Sequence, residues 1–536
     1  MSFKIDYTLS GKSKSASQSN EHFELSIKQE NNRHTIILRA KEDICLSSFK
    51  QIFPFAPDKN DLYFFNGYQS WTDTKEFTFS ERERDVKKLP KFLVNAFSFD
   101  SYGDASFYAY GKHLMHGYDV FYCKGRRESF ILNLNYTRAY LLIELNKRQK
   151  QLNLFHDFNG FKVSADTEFI IADYYLSDSV ASGMEYFDKV FPLKDIPKFF
   201  GYTSWYNYYQ NINERILLRD LSALDRQFNL FQIDDGYETK VGDWLSVDKD
   251  KFPNGLKTIV DEAHKKGLDA GIWLAPFVAE EESELFKTKK ELFKRNSKGE
   301  FVKCGSNWSG FYALDIENAD ARAYIEQCLR HYVDMGFDFF KLDFLYAVNL
   351  VTDEGTSRSM CAEKAYSFLR ECLKGKVILG CGATVFNCID KFDYLRIGPD
   401  VSLIFDDVWF MRRMHRERIS TKVTLQNTVY RSFFNGRLFG NDPDVFLLRD
   451  DNIKLSQKQR KALITLNALF GNVLMTSDNI GQYDEGKRKL LKEALDLFYN
   501  AQVKGYARKG NIIEITYYLN EKTKVIKYDT KRGILL

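Results

Sequence analysis

From Lys198 to about Tyr499 the chain repeats one pattern: a short apolar run, then a stretch with helical spacing. The runs are FFGYTSW (199–205), LFQIDD (230–235), DAGIWLAPF (269–277), FDFFKLDF (337–344), KVILGCG (376–382), YLRIGPD (394–400), RLFGND (437–442) and NVLMTSD (472–478). Parallel strands need a crossover long enough to hold a helix, so this alternation reads as βα units around a parallel sheet. Eight such units within roughly 300 residues predict a (β/α)8 barrel. Two helices stand out: 254–266 at a Phe-Pro-Asn-Gly turn, and 319–335 before a Gly stop. The short spacing between the fifth and sixth runs predicts a reduced or irregular helix there. The charged stretch 280–309, running into CGSNWSG, reads as an inserted loop after the third strand.

A 536-residue chain exceeds one compact core. Its first ~185 residues carry short alternating segments, such as 35–40, 107–110, 130–134, 139–145 and 168–174, between Asn, Asp and Gly turns. Many short strands without helical periods predict an N-terminal β-sandwich over 1–190. The barrel then takes 191–500. The last residues, 501–536, return to alternation, with a hairpin expected between 511–518 and 523–528 around Asn520-Glu521.

Nearly every barrel run ends in a polar or aromatic group: Trp205, Asp234-Asp235, Trp273, Asp343, Cys381, Asp400, Asp442 and Asp478. Parallel strands are buried on both faces and should be almost wholly apolar. An unpaired buried carboxylate is costly, so each Asp must accept hydrogen bonds or serve chemistry. Taken singly, an Asp at a strand end is as often a turn former or a helix N-cap, and a Trp there is more often core. Capping alone would not select carboxylates and aromatics together on one rim. That rim lies at the C-terminal ends of the strands, where barrel active sites sit.

The rest of the composition narrows the chemistry. Lys plus Arg is 77 against 73 for Asp plus Glu, a net charge of +4 that argues for no nucleic-acid partner. Eight scattered cysteines without a CxxC suit reduced thiols and a cytoplasmic location. No signal-like run begins the chain and no stretch approaches the ~20 apolar residues of a membrane span. With no phosphate loop, dinucleotide fingerprint or metal-ligand spacing, carboxylates beside tryptophans point to carbohydrate. Carboxylates take vicinal hydroxyls, and indoles cover the C–H face of a pyranose.

Specific motifs sharpen this reading. The run FFKLDFLY (339–346) resembles the nucleophile motif of the glycoside hydrolase family 36 α-galactosidases (clan D, short bacterial type), and YLRIGPD (394–400) resembles their acid/base motif. NGYQSW (66–71), GYTSWYNYY (201–209), FQIDDGY (231–237), GIWLAPF (271–277), GCG (380–382) and NDPDVFLLR (441–449) match in the same order. The resemblance implies Asp343 as nucleophile and Asp400 as general acid/base of a retaining double displacement, with the carboxyls roughly 5–5.5 Å apart. It implies that Asp234 and Asp235 hold the 4- and 6-hydroxyls, with Lys341 on sugar hydroxyls and Arg396 and Cys381 around the 2- and 3-hydroxyls. Trp205, Tyr206 and Trp273 would line the sugar pocket, and Trp71 would bring the N-terminal domain into it. The implied substrate is an α-galactoside oligosaccharide. The mechanism calls for no cofactor and no metal, and a homo-oligomer is compatible with it.

Three other readings use the same barrel. An α-N-acetylgalactosaminidase would need a wider pocket at Cys381, and a transglycosylase differs only in the second acceptor. A catalytically silent carbohydrate-binding homologue would have little reason to keep Asp343 and Asp400 beside Lys341 and Arg396. The segment after Asp400, SLIFDDVWFMRRMHRER (402–418), does not align with the family, and its basic run 412–418 reads as a solvated helix face.

Overall fold

A computed structural model describes residues 2–536. All eight apolar runs become strands of one parallel sheet: Phe199–Thr203, Leu230–Ile233, Asp269–Leu274, Phe339–Leu342, Val377–Gly380, Tyr394–Arg396, a split seventh strand, and Val473–Thr476. The seventh strand breaks into Gly440–Asp442 and Val445–Phe446 around Pro443-Asp444. Proline has no N–H for the ladder, which accounts for the interruption. The first half pairs with the sixth strand and the second half with the eighth, which pairs with the first. The sheet therefore closes into a (β/α)8 barrel through this break. As the spacing predicted, only a short 3-10 turn, Phe386–Cys388, lies between the fifth and sixth strands.

The insert after the third strand is more ordered than a loop. It forms a three-stranded antiparallel sheet of Val278–Glu280, Phe311–Ala313 and Lys303–Gly305. Strands of three residues are too short to show alternation.

The N-terminal region is a sandwich of a six-stranded and a seven-stranded sheet over one apolar core, with Ile5, Phe49, Phe121, Ile131 and Leu154 inside. One expected strand is absent: 107–110 is irregular. Its aromatics alternate because they anchor a crossing segment. The Tyr108 ring stacks on His116 with centroids 3.7 Å apart, and its hydroxyl donates to Glu144 at 2.9 Å. That segment also holds a short helix, Lys91–Phe97, and reaches over the barrel mouth. At the other end a four-stranded sheet replaces the lone hairpin. The expected turn is present, with Asn520 and Glu521 at φ 52° and 60°, the left-handed pair of a tight two-residue hairpin.

Sandwich and barrel are joined by a buried arginine. Arg431 follows the helix Thr421–Tyr430 and is fully buried. Its guanidinium donates to Asn66 Oδ1 at 3.0 Å, to the Gln69 carbonyl at 3.1 Å, to the Ile397 carbonyl at 2.9 Å and to the Ser70 carbonyl. Burial, reinforced by the nearby Arg416 charge, pulls its pKa down to about 9. Arg431→Met would strand several buried oxygens, each costing about 1–3 kcal/mol. We expect a loss of at least about 3 kcal/mol, read as a lower denaturant midpoint. An unchanged midpoint would show that the junction does not depend on this side chain.

Candidate active site

The C-terminal ends of the barrel strands surround a cavity of about 620 Å3. Its wall includes nine of the eleven expected residues: Trp71, Trp205, Tyr206, Asp234, Asp235, Trp273, Lys341, Asp343 and Asp400. Cys381 and Arg396 stand behind the wall, both buried.

Asp343 follows the fourth strand, and the chain turns at once: Phe344 sits at φ 54°, a left-handed conformation costly for a bulky residue. The turn points the Phe344 amide back at Asp343 Oδ1, 2.8 Å away, while Trp273 Nε1 donates to Oδ2 at 3.1 Å. Two N–H donors thus fix the carboxylate in orientation. Lys341, two residues earlier, shares its face of the strand. Its Nζ donates to Asp234 Oδ2 at 2.9 Å. Burial opposes the Lys341 charge, but Asp234 and Asp343 more than offset it and hold the pKa above the ordinary lysine value.

Asp234 and Asp235 are neighbours in sequence and both face the cavity because the second strand has already ended at Ile233. Asp234 Oδ2 also accepts from Gln232 Nε2 at 2.7 Å and Thr203 Oγ1 at 3.2 Å. Asp235 accepts from Trp308 Nε1 at 2.9 Å and Gln210 Nε2 at 3.1 Å. Gly236 is needed for this turn: φ is 116°, and a Cβ would lie 2.7 Å from Gln210 Cα. Burial pushes the Asp235 pKa up. Glu238 beside it is raised well above the ordinary carboxylate range, by burial and then by the Asp235 charge.

Asp400 sits four residues past Arg396, whose Nη1 lies 3.0 Å from Asp400 Oδ1. The same guanidinium reaches Asp442 through Nε at 2.8 Å and Asp444 through Nη2 at 3.0 Å. One cation is therefore divided among three carboxylates. Burial, aided by the Asp343 charge, raises the Asp400 pKa in spite of Arg396 and Lys341. Asp444, which also accepts from the Tyr206 hydroxyl, is pushed by burial to about 7.

Trp71 reaches in from the sandwich and donates Nε1 to Cys381 Sγ at 3.3 Å. Several further wall residues carry no periodic signal: Trp308 in the insert, Tyr102 and Phe99 from the crossing N-terminal segment, and Leu403, Ile404, Met411, His415 and Glu417. Trp308 was visible only as a tryptophan in a polar stretch. Asp444 was hidden behind Pro443, past the strand end. The basic run 412–418 is not a solvated helix face. Only Met411–Met414 is helical, and His415, Arg416 and Arg418 are buried. Arg418 pairs with Asp406 within the same segment at 3.0 Å, and Arg416 lies 3.6 Å from Glu83, a contact that joins the barrel to the sandwich. Among the described residues, no group of three or more His, Cys, Asp or Glu is arranged to hold a metal ion.

The Melibiase family model matches residues 202–373, within the barrel and across the motifs that carry the resemblance. The fold as a whole is similar to that of an α-galactosidase from Thermus thermophilus. In its complex with p-nitrophenyl α-D-galactopyranoside the identity is 24% and the TM-score 0.72, over 93% of this chain and 98% of that one. In its stachyose complex the identity is 26% and the TM-score 0.70, over 88% and 99%. An α-galactosidase of Lactobacillus acidophilus is 40% identical over 65 residues, 11% of this chain and 9% of that protein. An α-xylosidase of Lactiplantibacillus pentosus is 30% identical over 112 residues, 20% of this chain and 14% of that protein. The matched segment spans about a tenth of the length of these curated relatives.

Burial drives the Cys381 thiol well above its ordinary pKa, so it stays a neutral hydrogen-bond partner of Trp71. Iodoacetamide at pH 8 should leave Cys381 unmodified in the native protein and label it after denaturation, read by peptide mass spectrometry. Rapid native labelling would place Cys381 in open contact with solvent.

Proposed function

We propose that this protein is a retaining α-galactosidase that removes terminal non-reducing α-D-galactosyl residues from oligosaccharides by double displacement. The observation that carries the reading is that Asp343 and Asp400 share one cavity in contrasting surroundings. Asp343 is gripped by two N–H donors. Asp400 is a carboxyl whose acidity burial weakens. Glycosidic cleavage needs such a pair, one ionised and one protonated.

Asp343 attacks the anomeric carbon and forms a β-linked glycosyl-enzyme. Asp400 gives its proton to the leaving oxygen, then takes one from the incoming water, so the second displacement restores the α-configuration. Trp205, Tyr206, Trp273 and Trp71 cover the ring of the sugar. Asp234, Asp235 and Lys341 take its 4- and 6-hydroxyls, and an axial 4-hydroxyl is what separates galactose from glucose. Arg396 and Cys381 act from behind the wall, Arg396 on Asp400 and Cys381 on Trp71.

The local match to an α-xylosidase raises xylose as a second substrate. Xylose lacks the C6 hydroxymethyl group and would leave part of the Asp234–Asp235–Trp308 polar floor unmatched. A site built to bond a hydroxyl rejects the analogue without it strongly. Galactosides found in the Thermus relative favour the same choice. Eight unpaired cysteines suit a reducing cytoplasm, and no helix among the described residues is long and apolar enough to cross a membrane.

Product-anomer NMR on an α-galactoside should show the α-anomer released first; a β-anomer would overturn retention. Asp343→Ala should lower kcat by more than about 10³-fold. Azide should rescue Asp400→Ala with an α-galactosyl azide product, whereas β-galactosyl azide from that variant would mean the two roles are reversed. Because Asp400 must be protonated for the first step, kcat/KM should fall as pH rises through its elevated pKa. Asp444→Asn leaves more of Arg396 to Asp400, lowers that pKa, and should move the alkaline limb to lower pH. A limb unmoved or moved upward would mean that Arg396 does not set Asp400's proton.

A further inference from the structure

A second cavity, about 150 Å3, lies where the sandwich, the barrel and the C-terminal sheet meet. Six cationic side chains face it: Lys75 and Arg84 from the sandwich side, Arg418 and Lys422 from the barrel, and Arg508 and Lys531 from the C-terminal sheet. Glu81 is the one carboxylate in this wall. It is shared by Lys75 at 2.9 Å and Arg508 at 3.2 Å. Arg84 is tied to Asp73 at 2.7 Å, and Arg418 to Asp406 at 3.0 Å. Lys422 has only Asp406, 4.0 Å away, and among the described residues Lys531 has no ion pair.

These cations are not loose surface charges. The side chains of Arg418, Arg508, Lys75 and Arg84 are 1%, 11%, 16% and 22% exposed. Like charges crowded in a partly buried space repel and are costly unless an anion compensates them. The strain is visible at Lys422, whose pKa is lowered by burial and, against the pull of Asp406, by Lys75, Arg84 and Arg418. Gln426, Asn511 and Thr530 add neutral polar groups to the wall. An ordinary three-way salt-bridge junction balances its signs, and this one does not.

We propose that this cavity is a binding site for a tetrahedral oxyanion, either inorganic phosphate or the phosphoryl group of a small ester. The volume is that of about five waters, enough for one phosphate group. The substituent of an ester would have to project from the mouth. Guanidinium forks and ammonium groups converging from three parts of the chain are the donors such an anion takes. Bound there, it would hold the sandwich, barrel and C-terminal sheet together. Arg418 also lines the catalytic cavity, so the site stands one side chain away from it.

The test is thermal unfolding and calorimetric titration of the full chain at constant ionic strength, with sodium phosphate, glycerol phosphate or sodium chloride. Neither measurement needs turnover, so the outcome is independent of the glycosidase reading. Phosphate at low millimolar concentration should raise the Tm saturably, by about 1–3 °C. General salting would instead rise without saturation. The double variant Lys422→Met/Lys531→Met removes the two cations with the fewest protein partners. It should keep the parent Tm without phosphate and weaken phosphate binding at least tenfold. Tighter binding of glycerol phosphate than of phosphate would assign the site to esters, and the reverse to the free ion. An equal response to chloride, or an undiminished phosphate response in the double variant, would overturn the proposal.

Discussion

Two buried cations make the barrel rim possible. Asp234, Asp235, Asp343, Asp400, Asp442 and Asp444 crowd the strand ends, and among the described residues the cations paired with them are Lys341 and Arg396. Carboxylates at this density cannot all ionise in a partly desolvated cavity. The positive charge is divided unevenly. Lys341 serves Asp234 directly and adds to the field at Asp343, while Arg396 is spread over three acids. Burial therefore raises the carboxyl pKa values where neutralisation is incomplete, at Asp400 and Asp444 and at the Asp235–Glu238 pair. The general acid proposed at Asp400, beside a fixed carboxylate, would follow from how few cations the rim holds.

The sandwich takes part in this arrangement. Arg431 donates to the Asn66 side-chain oxygen and to the Gln69 and Ser70 carbonyls, contacts that tolerate little displacement, and Trp71 follows directly after. Its indole then meets Cys381 at the end of the fifth barrel strand. Gly382, at φ 62°, brings the barrel backbone against that indole; a Cβ there would lie 3.0 Å from the ring. A rigid wall made of two folding units depends on a buried charge satisfied by neutral oxygens. Such a contact favours one relative placement of the units more than it adds stability.

Much of this was legible in the residues, for a physical reason. Strands buried on both faces must be apolar, so the polar residues that end the runs, such as Asp343 after FFKL, together mark the rim. The hairpin turn at Asn520-Glu521 was legible because it falls between two alternating runs and Asn tolerates the left-handed conformation. Legibility failed where tertiary contacts decide. The aromatics of 107–110 imitate strand alternation while serving as anchors around His116. Arg416 and Arg418 look solvated in sequence, yet Glu83, far back in the chain, and Asp406, across a fold of the same segment, allow them to be buried. Trp308 gains its role only once a three-stranded insert folds over the rim.

This division has a consequence for specificity. The groups proposed to hold the transferred sugar come from strand ends, whose positions the barrel dictates. Much of the rest of the cavity comes from non-periodic segments: Phe99 and Tyr102, Ser306 to Trp308, and the stretch from Leu403 to Ile419. Those segments are fixed by individual contacts, such as Gln69 Nε2 on the Tyr102 carbonyl at 2.8 Å and Tyr102 on Asn307 at 2.8 Å. Changes there alter the cavity without touching the strands that carry Asp343 and Asp400. Under the proposed function, recognition of the leaving group would be free to vary while the chemistry of the rim is held constant, because the two rest on different parts of the fold.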